Sequence, residues 1–325
     1  MLLGPSGCGK TTILKLIGGL EKVDKGKIFF GNEDITNVPP NMRKVNTVFQ
    51  NYALFPHLNV YENIAYGLRV KNFGAIEIEK RVDKIAETFD ISKFLYKSIY
   101  EISGGEQQRV AVARAIINNP EVLLFDEPLS ALDFKLRKHV LSELSDLQDE
   151  LQTTFVYVTH DQFEALAVAD NVAIINEKGE LEQFGSPKEI YDHPTSIFVA
   201  KFIGHTNIIS GELKTIDGEK KFFVDGVGDY FVHEDVLCGD CIIEGCISIR
   251  PEKIIIKHIE EEVDGCNFVQ GKIVSIIYLG YATEYGIITP LGDMKSFAML
   301  ANDEIDYDDI VNVTWKPGDE VFLKK

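Results

Sequence analysis

The chain has 325 residues, of which 45% are hydrophobic and 26% are charged, and its formal net charge is −18. This ordinary globular composition excludes a disordered or collagen-like protein, and the length predicts two domains. An acidic surface repels phosphate backbones and anionic lipids. The charge therefore argues against a general nucleic-acid binder and against direct adsorption to membranes.

The sequence has no apolar run of the 18 residues or more that a transmembrane helix requires, and its start does not resemble a signal peptide. We therefore expect a cytosolic chain whose cysteines are thiols. The cysteines are Cys8, Cys238, Cys241, Cys246 and Cys266. The last four lack the second close pair of ligands of a zinc ribbon, so ordinary packing is the preferred interpretation.

Strand-like and helix-like patterns alternate along residues 1–203. Three short apolar runs, each suited to a buried strand, lie at 122–125, 155–158 and 172–175. Between the first two, apolar residues from Leu136 to Leu151 recur three or four positions apart and predict an amphipathic helix. Another helix is predicted from Phe163. This order predicts an α/β fold whose parallel sheet is covered on both faces.

Two other regions have different patterns. Residues 51–118 predict a mostly helical insertion in the sheet domain. One helical face there is formed by Ile78, Val82, Ile85 and Phe89. In residues 204–325, short β-rich runs alternate with glycine-containing turn signals, which predicts a small β-barrel or sandwich. The acid-rich segment 303–309 is interpreted as a solvated loop.

A phosphate-binding pattern, GxxxxGK[ST], is complete near the start of the chain. Its residues are Gly4, Pro5, Ser6, Gly7, Cys8, Gly9, Lys10 and Thr11. Glycines let backbone N–H groups converge on phosphate oxygens where the next helix begins. Lys10 supplies a positive charge for the β- and γ-phosphates, the Thr11 hydroxyl suits Mg²⁺, and Thr12 can add a phosphate contact.

Two acids, Asp126 and Glu127, close the apolar run 122–125. In a phosphate-loop fold, an acid at this strand end lies beside the phosphate loop. Asp126 would then orient the hydrated Mg²⁺, and Glu127 would polarise the attacking water. The alternative, a pair of acids at an ordinary surface strand end, is disfavoured because the phosphate loop is complete.

A second glycine-rich turn, Ser103-Gly104-Gly105-Glu106, precedes a predicted helix and forms a second anion-binding nest. One nucleotide needs only one phosphate loop, so a second nest implies sites that two chains share. The run from Ile102 to Arg109 resembles the LSGGQ signature of the ATP-binding cassette (ABC) family. It has isoleucine in place of leucine and Glu106 in place of glutamine.

Further motifs of that family stand in the expected order. Val48-Phe49-Gln50 resembles the Q-loop, Ser130-Ala131-Leu132-Asp133 the D-loop, and Thr159-His160-Asp161 the switch histidine. The resemblance implies an ATPase in which Glu127, His160 and Gln50 are catalytic, with His160 at the γ-phosphate. It also implies that Thr11, Gln50 and Asp126 bind Mg²⁺, and that residues 4–12 bind ATP.

The resemblance implies partners as well. Two copies would dimerise head to tail, so that residues 4–12 of one chain face Ser103, Gly104, Gly105 and Glu106 of the other across ATP. The dimer would work at the cytoplasmic face of the membrane with two transmembrane permease subunits and, through them, a substrate-binding protein. Aromatic residues within 51–68 would form a groove for a permease helix or part of the helical core. A soluble cassette ATPase that works on nucleic acid or ribosomes is disfavoured, because such proteins usually carry two cassettes or a long coiled coil.

The C-terminal part resembles the importer cassettes of the maltose, polyamine and iron group. Ile249-Arg250-Pro251-Glu252 resembles an element of their OB-like (TOBE) barrel, so the predicted domains are 1–203 and 204–325. The segments 202–208 and 302–317 favour spermidine/putrescine importers. Ferric iron, sulfate and sugar importers share much of this pattern and remain alternatives.

Only three residues precede Gly4. A phosphate loop follows a strand that typically has about five or six residues. The family also has earlier strands and an aromatic residue that stacks on adenine. We therefore expect that the first strands are missing from this sequence, and that a chain extended upstream is more stable and binds ATP more tightly.

Overall fold

The chain forms two compact units, Met1–Pro187 and Lys188–Lys325. The computed structural model describes residues 1–129, 134–151, 153–216, 219–232, 242–299 and 305–324. In these ranges no helix combines the length and the apolar character needed to span a membrane.

The first unit contains eight strands and six complete α-helices among its described residues. The strands are β1 (Leu2–Leu3), β2 (Phe29–Phe30), β3 (Glu33–Asp34), β4 (Val45–Val48), β5 (Val122–Asp126), β6 (Thr154–Thr159), β7 (Val172–Ile175) and β8 (Leu181–Gly185). The helices are α1 (Lys10–Gly18), α2 (Val60–Val70), α3 (Ala75–Thr88), α4 (Gly104–Ile116), α5 (Phe134–Leu151) and α6 (Gln162–Val168). A further helix, α7 (Pro187–Asp192), begins at the last residue of this unit.

Six of the strands form one sheet in the order β4-β5-β6-β1-β7-β8. The first five run parallel, as expected, whereas β8 is antiparallel to β7. The reason is a tight turn in which the Asn176 side chain accepts hydrogen bonds from the backbone N–H of Lys178 and Glu180, at 2.9 and 3.0 Å. So short a connection can only return the chain antiparallel.

The two faces of this sheet bury different residues of β5. Val122 and Leu124 pack with Leu14 of α1, and Leu123 and Phe125 belong to the larger core that continues into the helical region. This alternation is what a strand period of two residues requires. Cover on both faces of β5 is therefore confirmed.

Helices α2, α3 and α4 build the helical region predicted for 51–118. Ile78 and Val82 of α3 are buried, and Phe89 directly after it is 9% exposed, as its apolar face predicts. Helix α4 begins at Gly104, within the glycine-rich turn that was predicted to precede it, because the Ser103 side chain caps it.

The second unit contains one further helix and ten strands among its described residues. They are α8 (Ile197–Phe202), β9 (Asn207–Ile216), β10 (Glu219–Val224), β11 (Gly228–Phe231), β12 (Ile243–Ile249), β13 (Ile255–His258), β14 (Asn267–Tyr278), β15 (Thr283–Thr289), β16 (Gly292–Ala298), β17 (Ile310–Trp315) and β18 (Glu320–Lys324). They form two five-stranded sheets, β11-β10-β9-β12-β18 and β13-β17-β14-β15-β16. Both sheets contribute to one core around Phe222, Tyr285 and Trp315.

Arg250, buried in the second unit, explains why this unit begins before residue 204. Its guanidinium donates to the carbonyls of Ala200, Ile203 and His205 at 2.6–3.1 Å, and twice to that of Tyr191. Segment 188–205 is thereby tied to the end of β12. The predicted boundary after residue 203 falls within this tied segment.

Candidate active site

Four parallel strands bring the predicted motifs to one edge of the sheet. Val48 pairs with Phe125, Asp126 pairs with Val158, and Thr159 pairs with Leu3. Glu127, His160 and Gly4 directly follow three of these strand ends, and Gln50 is the second residue after the fourth. Because the carboxyl ends of neighbouring parallel strands share one edge, the structure brings these four positions together.

The phosphate loop uses glycine where no other residue fits. Gly7 and Gly9 have φ values of 84° and 98°, in the left-handed region. A Cβ on Gly4 would lie 2.5 Å from the carbonyl oxygen of Ile175 and 2.8 Å from the Cys8 sulfur. Strand β7 therefore presses directly against the loop, and the loop delivers the chain into α1 at Lys10.

Lys10 is 5% exposed, and its ammonium lies inside the loop. The Nζ atom donates to the carbonyl oxygens of Gly4 and Pro5 at 2.8 and 2.9 Å. The loop thus holds a positive charge at the start of α1, beside backbone N–H groups. This arrangement suits the phosphates of a nucleotide.

Thr11 and Asp126, two of the three predicted Mg²⁺ ligands, are in contact. The Thr11 hydroxyl donates to Asp126 Oδ1 at 2.9 Å. A hydroxyl and a carboxylate are hard oxygen donors, and Mg²⁺ is usually bound by one or two such groups together with phosphate oxygens and water. The donor set at this point therefore fits Mg²⁺.

Glu127 and His160 form the second contact at this edge. The His160 Nδ1 lies 3.2 Å from Glu127 Oε1. Glu127 has φ 46°, and its N–H donates to the carbonyl of Val158 at 3.1 Å. Residues with a Cβ avoid this backbone region, and such strain concentrates at functional sites.

The loop that carries His160 is fixed on both sides of the imidazole. Thr159 is buried, and its hydroxyl accepts from the Asp161 N–H at 2.9 Å. Asp161 in turn caps α6, because its Oδ1 accepts from the N–H groups of Phe163 and Glu164 at 2.8 and 3.4 Å.

Gln50 is exposed and lies two residues beyond the end of β4. The aromatic segment after it is held by two long side chains. Asn63 is fully buried and exchanges hydrogen bonds with the backbone of Phe55, and Arg114 donates to the carbonyls of Tyr52 and Ala53. Ile64 is fully buried and belongs to the core, whereas Tyr66 is 44% exposed, with its ring centroid 4.5 Å from that of Phe55. The groove for a permease helix stays a prediction.

The glycine-rich turn at 103–106 starts α4. The Ser103 N–H donates to Glu106 Oε2 at 2.7 Å, and its hydroxyl accepts from the Glu106 N–H at 3.4 Å. The hydrogen bond from Ser103 lowers the pKa of Glu106. These bonds are local to the turn, which presents Gly104 exposed and Gly105 half-buried at the helix start. A Cβ on either glycine would meet no atom within 4 Å, so the turn has open space in front of it.

Some predicted residues lie outside the described ranges. They are Ser130 and Asp133 of the D-loop, together with Cys238 and Cys241. Among the described cysteines, Cys8, Cys246 and Cys266 are free thiols, as expected. Within the described residues, no three His, Cys, Asp or Glu side chains form a cluster that could hold a metal ion.

Two arginines that bind segments beside the site were not predicted from the sequence. Arg43 donates to the carbonyls of Leu16 and Ile17 at the end of α1, both at 2.7 Å, and so ties the phosphate-loop helix to the start of β4. Arg137 of α5 donates to Asp161 Oδ2 at 2.5 Å. No spacing pattern marks these arginines, because their partners are distant in sequence.

A buried pair lies beneath the His160 loop and was also missed. Glu164 of α6 is 3% exposed, and burial raises its pKa. Tyr157 of β6 is 4% exposed, and burial together with the nearby Glu164 charge raises its pKa. No helical spacing links Glu164 to His160, because His160 lies before α6 begins.

Comparisons with known proteins fit this geometry. The ABC transporter family model matches residues 1–130, and the TOBE domain model matches residues 247–323. The spermidine/putrescine import ATP-binding protein of Protochlamydia amoebophila is 43% identical over 100% of this chain and 88% of its own length. The protein of the same name from Thermotoga maritima is 43% identical over 99% of this chain and 89% of its own. The chain belongs to the ABC transporter family.

Solved structures agree with this assignment. An ATP-binding cassette in a dimeric post-hydrolysis state, bound to ADP and Pi, is 32% identical over 57% of this chain and 84% of its own, with a TM-score of 0.50. The cbiO1 protein from Clostridium perfringens, part of the ABC transporter complex cbiONQ, is 30% identical with a TM-score of 0.54. It covers 58% of this chain and 77% of its own. The predicted fold class, an ABC cassette followed by a TOBE domain, is confirmed, and so is the assignment as an ABC ATPase.

Proposed function

We propose that this chain hydrolyses ATP to drive polyamine import, as the ATP-binding subunit of a complex with two permease subunits and a substrate-binding protein. The observation that carries the chemistry is the meeting of the phosphate loop, the Thr11–Asp126 pair and the Glu127–His160 pair at one sheet edge. The cargo is supported by the similarity to spermidine/putrescine import proteins, which extends over both units.

The nucleotide would be held by residues 4–12, with Lys10 and the backbone N–H groups at the start of α1 facing its phosphates. Thr11, Asp126 and Gln50 would hold Mg²⁺, which when bound neutralises charge on the β- and γ-phosphates. Placing the substrate at this edge brings the γ-phosphate near Glu127 and His160, since both follow neighbouring strands.

The contact between Glu127 and His160 has a chemical consequence. His160 Nδ1 lies 3.2 Å from Glu127 Oε1, and because a carboxylate only accepts hydrogen bonds, a bond between the two would be donated by Nδ1. A neutral imidazole has one N–H, so a bond from His160 to the γ-phosphate would replace its bond to Glu127. Without the His160 contact, the Glu127 carboxylate could accept a proton from the attacking water.

The turn at 103–106 would complete the site of a second copy. Its exposed helix start suits a phosphate, and the space in front of Gly104 and Gly105 lets a nucleotide approach the backbone. In this arrangement Ser103, Gly104, Gly105 and Glu106 contact the ATP held by the partner's phosphate loop. The assembly would lie at the cytoplasmic face of the membrane.

Uptake by intact cells tests this proposal. A strain that lacks its own polyamine importer would receive this chain together with permease and binding-protein genes from the organism that encodes it. We expect uptake of radiolabelled spermidine or putrescine with the wild-type chain and none with Glu127→Gln. Uptake of ferric iron, sulfate or maltose without any polyamine uptake would refute the cargo. Polyamine uptake with the Gln variant at the wild-type rate would refute the mechanism.

A further inference from the structure

Arg137 is a partly buried arginine to which the proposed chemistry gives no role. It lies in the first turn of α5, and its side chain is 22% exposed. Its Nη1 donates to Asp161 Oδ2 at 2.5 Å, and its Nε lies 3.7 Å from Glu164 Oε1. One guanidinium therefore contacts two carboxylates of the segment that follows His160.

The two carboxylate oxygens of Asp161 accept hydrogen bonds from different helices. Oδ1 accepts from the N–H groups that begin α6, and Oδ2 accepts from Arg137. The residue directly after His160 is thus bound both to its own helix and to α5. His160 itself is 53% exposed, so its neighbours rather than a surrounding pocket determine where the imidazole points.

The charges at this point explain why an arginine stands there. Asp161 and Glu164 are two acids within four positions, and Glu164 is 3% exposed. A carboxylate in that environment needs a cation or hydrogen bonds close to it. The planar guanidinium can serve two acids at once, whereas a lysine ammonium is a single point charge on a flexible stem.

We propose that Arg137 is a positioning residue for His160: through Asp161 it holds the switch-histidine loop at the distance that lets His160 contact Glu127. The inference rests on the proposed role of His160 in ATP hydrolysis. It makes α5, which starts immediately after the predicted D-loop, the support of the histidine on the neighbouring strand end. Movement of α5 would therefore move His160.

Steady-state kinetics of the full chain give the first test. In Arg137→Met we expect kcat to fall at least tenfold while KM for ATP stays within twofold, because the phosphate loop is untouched. Arg137→Lys should recover only part of the rate. The matched control is Arg81→Met, which removes an arginine paired with Glu77 at 2.6 Å on α3, away from the sheet edge, and should leave kcat unchanged. Asp161→Asn is the second variant, since asparagine keeps the helix cap but loses the charge, and it should reproduce the loss of kcat.

Dependence on His160 separates positioning from a general structural effect. Single-turnover hydrolysis should be equally slow in His160→Ala and in the double variant His160→Ala/Arg137→Met, because Arg137 acts through the histidine. NMR of side-chain-labelled histidine gives a readout besides activity. The His160 resonance, assigned by its loss in His160→Ala, should shift in Arg137→Met and Asp161→Asn and stay in place in Arg81→Met.

Failure of this inference and failure of the proposed function look different. Wild-type turnover in His160→Ala would refute the role of His160. Slow turnover in His160→Ala, combined with wild-type kcat and an unshifted resonance in both Arg137→Met and Asp161→Asn, would refute only the role of Arg137. An extra loss of rate from Arg137→Met in the His160→Ala background would also refute it.

Discussion

Glu127 combines a strained backbone with the proposed catalytic base, and its variants should separate stability from activity. A left-handed φ of 46° costs a residue with a Cβ about 1–2 kcal/mol, and glycine avoids that cost. Glycine loses about 0.5–1 kcal/mol more chain entropy than alanine on folding. Both variants lose the contact with His160, so Glu127→Gly should be more stable than Glu127→Ala by about 1 kcal/mol.

For a unit of this size that difference corresponds to about 2–4 °C in melting temperature. Scanning calorimetry is the suitable assay, because the single tryptophan, Trp315, lies in the second unit and its fluorescence reports on that unit. Turnover should fall about 10²–10⁴-fold in Glu127→Gln, while ATP binding is retained and a closed dimer accumulates.

Two matched positions control for the glycine effect. Asn72 has φ 58° and is exposed at the end of α2, so Asn72→Gly should exceed Asn72→Ala in stability with turnover unchanged. Glu79 is exposed within α3, where glycine is a poor helix former. Glu79→Gly should therefore be less stable than Glu79→Ala by about 1 kcal/mol. If Glu127→Gly melts below Glu127→Ala, the strain argument is wrong. If Glu127→Gln turns over normally, Glu127 is not the base.

Thr11→Val removes the hydroxyl that contacts Asp126 and should lower Mg²⁺-dependent hydrolysis at least tenfold; an unchanged Mg²⁺ titration would exclude Thr11 as a ligand. Mixing Lys10→Ala chains with Ser103→Arg chains should restore one intact composite site per mixed dimer, and efficient ATP-dependent dimers of Ser103→Arg alone would contradict head-to-tail pairing. Arg250→Met leaves four carbonyls, two of them in buried hydrogen bonds, without this donor and should destabilise the second unit by about 3 kcal/mol, seen as a lower urea midpoint of Trp315 fluorescence; an unchanged midpoint would show that these bonds contribute little.

The residues that meet at the sheet edge were predictable because each motif directly follows a strand. Once 122–125 is a parallel strand, Asp126 and Glu127 must lie at its carboxyl end, and the phosphate loop must lie at the same edge. The helical face of α3 followed in the same way from a period of 3.6 residues. These inferences depend only on neighbours along the chain.

The supporting contacts were not predictable, because they join distant segments through side-chain-to-backbone bonds. Arg43, Arg114 and Arg250 each serve carbonyls from other segments, up to 62 positions away, and no periodicity encodes such a partner. The antiparallel β8 depended on the Asn176 turn, whose geometry outweighed the alternating βα pattern. The left-handed φ of Glu127 was likewise not predictable, because no sequence pattern marks it.

Coupling of ATP hydrolysis to polyamine tests the central claim most directly. The measurement is phosphate release by the complete complex in lipid vesicles, with binding protein that is either empty or loaded with spermidine. The account predicts that spermidine-loaded binding protein accelerates hydrolysis severalfold with the wild-type chain and not with Glu127→Gln. Hydrolysis that is the same with and without spermidine, or acceleration that persists in Glu127→Gln, would contradict it.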